Sequence, residues 1–327
     1  MCTTTYSIGS VSPLSELNLP VTSLFFIVGC PRSGTTLVQR LLSTHPESTV
    51  LPETFFVRRL MPNHRTLMNP LLQSEHNVLV QAVLQSEAWS VQDLSEEALH
   101  REVQRQPQTG AGVLRAWMYT AARAHGVPVV GEKTPDHALQ VAALHHALPE
   151  ARFVHVIRDP RAVVNSWRTV PWSSGYVWRD ADLWRERVQA VRQAPESAPV
   201  HTVRFEQLVQ APATTMQRVA AFLGLSPGHM WTRDDVDAEQ VAVDAEAEPW
   251  KQNALAPIDP AVATRWRRAL PEADQAMVEH MAAREMQRWG YMPEASAAAR
   301  RAAAWRKPRQ HIRWKADLLL QEWNGGS

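Results

Sequence analysis

Gly29-Cys30-Pro31-Arg32-Ser33-Gly34-Thr35-Thr36 is the stretch on which the reading of this chain turns. Before it runs Leu24-Phe25-Phe26-Ile27-Val28, continuously apolar, as expected of a parallel strand buried on both faces. After it, Leu37, Val38, Leu41 and Leu42 recur at helical spacing. A glycine-containing loop between a strand and a helix is where backbone N–H groups and the helix dipole collect an anion. The spacing approaches that of the Gly-x4-Gly-Lys-Ser/Thr phosphate loop, but Thr35 stands where that loop requires lysine. The cation is Arg32 instead, three residues earlier. A nucleoside triphosphatase uses the lysine on its β- and γ-phosphates and Mg²⁺ on the next hydroxyl. A sulfonate on a single 5′-phosphate has no such phosphate pair and requires no metal. Arg32, the loop amides, those of Ser33 and Gly34 among them, and the Thr35 and Thr36 hydroxyls supply the donors it needs. A glycine turn with an N-capping threonine would account for the loop alone.

A second segment repeats the arrangement. The apolar strand Phe153 to Ile157 runs into Arg158-Asp159-Pro160-Arg161, and a helix is expected over about 160–169. Pro160 suits a first helical turn, where its missing N–H costs little. Arg158 at the strand end and Ser166 two turns into the helix are expected to converge on one anion, with Arg161 and Arg168 close in sequence. A ribose 3′-phosphate needs a dedicated site of this kind, and ATP has no group to fill it.

Taken together, the two segments resemble the sulfotransferases, in the branch that includes the tyrosylprotein sulfotransferases and many bacterial relatives. Pro31 to Thr36 is similar to their 5′-phosphosulfate loop, and Arg158 to Ser166 to their 3′-phosphate element. The resemblance implies 3′-phosphoadenosine-5′-phosphosulfate as donor, no metal, and transfer of the sulfuryl group to an acceptor hydroxyl. In that branch a His-Pro closes the loop helix, here His45-Pro46, and a nearby glutamate is the general base, here Glu53. Lys133, in Glu132-Lys133-Thr134-Pro135, matches a lysine that contacts the donor, and Lys251 a lysine that closes over the nucleotide. Glu53, Arg32 and Lys133 are thus the catalytic candidates, with His64 and His137 as rival bases. Val203 to Leu208 is similar to an Arg-Tyr-Glu-Asp-Leu segment of the family, with Phe205 in place of the tyrosine.

Strand-like runs alternate with helical ones, which implies an α/β fold: a P-loop-like, mostly parallel sheet flanked by helices, as a single domain with helical insertions. Further strands are expected at Val129-Val130 and His201 to Phe205, and helices at 213–223 and 263–289. The expected division is a tail over 1–20, a sulfotransferase domain over 21–292 whose stretch 57–125 is a helical acceptor-side insertion, and a basic, Trp-rich extension over 293–327. That extension is expected to run as an Ala/Arg stretch, then Lys307-Pro308, then a short amphipathic segment.

The net charge of +1 over 327 residues excludes a protein built as a whole to bind nucleic acid. Residues 296–327 nevertheless hold seven Lys or Arg against Asp317 and Glu322, a pattern suited to a peripheral membrane surface or to self-association, and equally to packing back on the domain. With only Cys2 and Cys30, no disulfide framework is expected, and a cytoplasmic location follows. The acceptor is expected to be a small molecule, a glycan or a lipid. Two other classes compete: an ATP-dependent kinase or ATPase with an atypical loop, which requires Mg²⁺, and a non-catalytic nucleotide-binding module, which has no use for Glu53 and Lys133.

Overall fold

The computed structural model describes residues 20–60, 67–232 and 256–324. Its centre is β1 (Ser23–Gly29), buried along its whole length. Leu24, Phe26 and Val28 point to one face of the sheet and Phe25 and Ile27 to the other, as the two-residue period of a strand requires. A strand covered on both sides has no polar face, which is why the run is continuously apolar.

The chain continues through α1 (Thr35–Ser43), β2 (Ser48–Leu51), α2 (Gln73–Leu84), α3 (Glu87–Ser90), α4 (Glu96–Gln104) and α5 (Gly110–His125) to β3 (Val129–Lys133). It then forms α6 (Val141–Ala147), β4 (Arg152–Ile157), α7 (Pro160–Trp167), α8 (Val177–Arg192), β5 (Val200–Arg204), α9 (Phe205–Gln210) and α10 (Pro212–Leu223). The last elements are α11 (Trp266–Ala269), α12 (Glu272–Arg288) and α13 (Ala297–Asn324). The five strands form one parallel sheet in the order β2-β3-β1-β4-β5. From β1 the chain moves to the β2 edge, returns through β3, and then crosses to β4 on the far side of β1. Such a reversal opens a crevice beyond the C-terminal ends of the strands, where ligands of open α/β sheets sit. One face packs on Val113, Leu114 and Trp117 of α5, the other on Leu37, Val38 and Leu41 of α1 and Met216 and Leu223 of α10.

Several expectations are corrected. The strand β2 had no counterpart in the sequence reading: four residues between Pro46 and Pro52 are too few to show a period. Phe205 opens α9 and is not the last residue of β5. The helix expected over 263–289 is broken at Leu270-Pro271, since proline clashes with the preceding turn of a helix interior. The extension past 293 is one helix, α13, which runs through Pro308.

His155 lies in β4 with its ring buried, and burial pushes its pKa from 6.5 down to about 4. A histidine whose folded pKa lies below its unfolded one stabilises the fold above pH 6.5 and loses that contribution as pH falls toward 4. The full loss is about 3 kcal/mol. Urea midpoints across that window should therefore decline with acid, and His155→Gln should flatten the decline.

Candidate active site

The loop after β1 bends sharply. Arg32 and Gly34 both adopt left-handed backbone, with φ of 72° and 98°. At Gly34 a Cβ would lie 2.3 Å from the ring of Phe205, so conformation and space both demand glycine. For an arginine the left-handed region is uncommon and needs support from its surroundings. That support comes from the β4–α7 segment: Arg158 Nη1 donates to the Arg32 carbonyl (3.1 Å) and Trp167 Nε1 to the Pro31 carbonyl (3.1 Å). Cys30 is buried, and desolvation pushes its thiol up to about 12, so the loop carries no reactive thiolate.

Arg158 is half-buried just past the end of β4, and desolvation of its guanidinium lowers its pKa to about 10. Its Nη2 donates to the Val262 carbonyl (3.0 Å), its guanidinium lies 4.3 Å over the Phe205 ring, and Trp184 Nε1 holds its own carbonyl (3.0 Å). Its Nε has no hydrogen-bond partner among the described residues. Arg32 Nε donates to Ser166 Oγ (3.1 Å). The two segments, 126 residues apart at Arg32 and Arg158, therefore form a single cluster. A cavity of about 350 Å³ opens onto it, lined by Arg32, Gly34, Thr35, Thr36, Arg158 and Ser166, together with Asn165, Phe205 and Trp266.

The remaining candidates divide. Ser33 is fully buried and does not line the cavity, and its Oγ has no partner among the described residues. Lys251 and His64 lie outside the described residues. Arg161 turns into the protein, where Asp159 and Glu279 bind its guanidinium over Trp266. Arg168 reaches the Ala269 carbonyl at 3.4 Å. Glu206, beside Phe205, accepts from the Asp159 amide (2.9 Å) and the Tyr291 hydroxyl (3.0 Å), which ties α9 to the end of β4.

Glu53 and Lys133 do not line that cavity; they meet at the C-terminal ends of β2 and β3. Leu51 of β2 pairs with Glu132 of β3, and Lys133 pairs with Ile27 of β1. That register brings Lys133 Nζ to 2.5 Å from Glu53 Oε1, with the lysine side chain 3% and the glutamate side chain 19% exposed. Glu132, a residue absent from the sequence candidates, fixes both ends. Its Oε1 accepts from the Thr54 amide (3.2 Å) and hydroxyl (3.0 Å) and from the Thr134 hydroxyl, and its Oε2 from His137 Nδ1 (3.0 Å). No period in the sequence marks such a residue; a glutamate directly before Lys133 was the signal. His137 is thereby committed to a buried carboxylate. His45 stacks on Trp231 and contacts the Ser226 carbonyl, a packing role at the end of α1.

A family model described as the sulfotransferase family matches residues 25–228, and the chain belongs to that family. It is 26% identical over 285 residues to protein-tyrosine sulfotransferase A of Caenorhabditis elegans, covering 83% of this chain and 68% of the worm protein. It is 25% identical over 247 residues to the omega-hydroxy-beta-dihydromenaquinone-9 sulfotransferase Stf3 of Mycobacterium bovis, covering 61% of this chain and 62% of that one. The chain thus spans about two thirds of the length of these curated relatives. Among solved structures, the sulfotransferase domain of the Synechococcus PCC 7002 olefin synthase superposes with a TM-score of 0.53 at 21% identity, over 81% of this chain and 95% of that domain. The fold is shared with it.

Proposed function

We propose that this protein moves a sulfuryl group from 3′-phosphoadenosine-5′-phosphosulfate to an acceptor hydroxyl by in-line displacement. One observation carries the reading: Arg32, Gly34, Thr35 and Thr36 of the loop and Arg158 and Ser166 of the second segment line a single cavity, and Arg32 Nε donates to Ser166 Oγ across it. An anion seated there would meet the Arg32 and Arg158 guanidinium groups and the Thr35, Thr36 and Ser166 hydroxyls. Sulfuryl transfer from this donor is the general reaction of the family, and a family match favours it over a kinase or a non-catalytic module.

The bound donor would supply the transferable sulfuryl group and a phosphate leaving group. Each residue then has a task. Arg158 and Ser166 hold a 3′-phosphate. Arg32 and the Thr35 and Thr36 hydroxyls hold the 5′-phosphosulfate, and Arg32 and Lys133 neutralise charge developing on the leaving oxygen. Glu53 accepts the proton of the attacking hydroxyl. Glu132 keeps Glu53 and Lys133 in place through their chain neighbours, and such positioning is a large part of transfer catalysis. Lys251 rests on the resemblance alone. The acceptor would be a small molecule, glycan or lipid.

The test is transfer from sulfur-radiolabelled donor to a panel of phenols, sugars and lipid alcohols in the presence of EDTA. Turnover that survives chelation is expected. Turnover lost in chelator and restored by Mg²⁺, with ATP as the preferred donor, would return the protein to the kinase class.

A further inference from the structure

The helix α13 presents two unlike faces. Its inner face is docked. His311 and Trp314 pack on Trp178, with ring centroids 5.1 and 5.5 Å away. Asp317 accepts from the Tyr176 hydroxyl, and Arg306 donates to the Ala273 carbonyl at 3.1 Å. These contacts fix the rotation of the helix about its axis, and so fix what it shows to solvent.

The outer face carries Trp305 and Ile312, 81% and 70% exposed. They are seven positions apart, close to two helical turns, so they lie on one line along the helix. Arg301, Arg309, Arg313 and Lys315 are exposed around that line. From Ala295 to Ala316 the sequence holds seven Lys or Arg and no Asp or Glu. In a chain of net charge +1 this is a local concentration of positive charge, placed around a protruding indole.

We infer that the outer face of α13 is a docking surface for an anionic lipid bilayer. A helix lying in the interface needs an apolar line to enter the acyl boundary and cations to meet the lipid phosphates. Indoles favour that boundary, being apolar in body and polar at the N–H. A polyanion such as nucleic acid would use the cations but gain little from Ile312. A second copy of this chain would bring the same positive charge against itself. Among the described residues no helix is long and apolar enough to cross a membrane, so the contact would be peripheral.

Co-sedimentation of the full chain with phosphatidylglycerol–phosphatidylcholine vesicles tests this, with phosphatidylcholine vesicles as control. Binding is expected to the anionic vesicles alone and to weaken as salt is raised. Trp305→Ala, which keeps every charge, should weaken binding about tenfold, as expected for a large side chain withdrawn from an apolar phase. The triple change R309A/R313A/K315A should weaken it by more than about 100-fold, at about one kcal/mol for each near-surface cation. All the altered side chains are exposed, and unchanged unfolding temperatures would show that the fold is kept. The inference fails if the protein ignores anionic vesicles or binds both kinds equally. It also fails if Trp305→Ala binds like the parent, which would leave bare charge attraction, or if the parent is a dimer that Trp305→Ala separates, which would make the face a subunit contact.

Discussion

Glu53→Gln is expected to lower turnover by about 10²–10⁴-fold, the usual worth of a general base. Affinity for adenosine 3′,5′-bisphosphate should change by no more than about twofold, because an interaction used only in the transition state leaves ground-state binding alone. The structure sharpens this expectation. Glu53 stands two residues beyond β2, and the register of β2 on β3 sets its carboxylate against Lys133. The amide keeps the shape but cannot take a proton, and it also removes the charge partner of a lysine that is 3% exposed. Breaking a buried pair is destabilising, so the unfolding temperature should fall as well, and turnover must be compared where both proteins are folded. If chemistry limits the rate and the variant keeps more than about a third of parental turnover, Glu53 is not the base. His137, already bonded to Glu132, would be a poor replacement, and His64 would be tested next.

Arg158→Ala should weaken adenosine 3′,5′-bisphosphate by about 3 kcal/mol, since hydrogen bonds to charged groups contribute about 1.5–3 kcal/mol each. Adenosine 5′-phosphate should lose less. It will not be untouched, because Arg158 Nη1 also holds the Arg32 carbonyl and with it the shape of the phosphate loop. The informative quantity is therefore the difference between the two losses. Equal losses would mean that Arg158 only braces the loop. Ser166→Ala removes the oxygen that accepts from Arg32 Nε, and it should lower affinity for both nucleotides more evenly.

Both segments that line the cavity stood out in the sequence because each is a contiguous run in which backbone geometry and side-chain chemistry are written side by side. Their union through Arg32 did not. The sequence suggested that Arg158 and Ser166 would form one site and Arg32 another, whereas Arg32 bridges the two. Such a bridge depends on strand order, with β4 beside β1, and nothing local encodes that adjacency. The pairing of Glu53 with Lys133 was hidden for a related reason: it rests on β2, a four-residue edge strand. The helix α8 was missed although its buried Trp178, Ala181, Trp184, Val188 and Val191 follow a helical spacing of three and four. Charged residues between them mask the stripe, and that spacing is the signal that would have revealed it. Trp167 and Trp184 hold the carbonyls of Pro31 and Arg158 through their indole N–H groups. Which carbonyl an indole reaches is a property of packing and leaves no trace in periodicity.

Calorimetric titration of the unaltered protein in EDTA, with adenosine 3′,5′-bisphosphate and with adenosine 5′-phosphate, tests the central claim most directly. A 3′-phosphate received by Arg158 and Ser166 should make the bisphosphate bind about 100-fold more tightly, the worth of one or two charged hydrogen bonds. Equal affinities in chelator, or tight binding that appears only for ATP with Mg²⁺, would contradict the assignment.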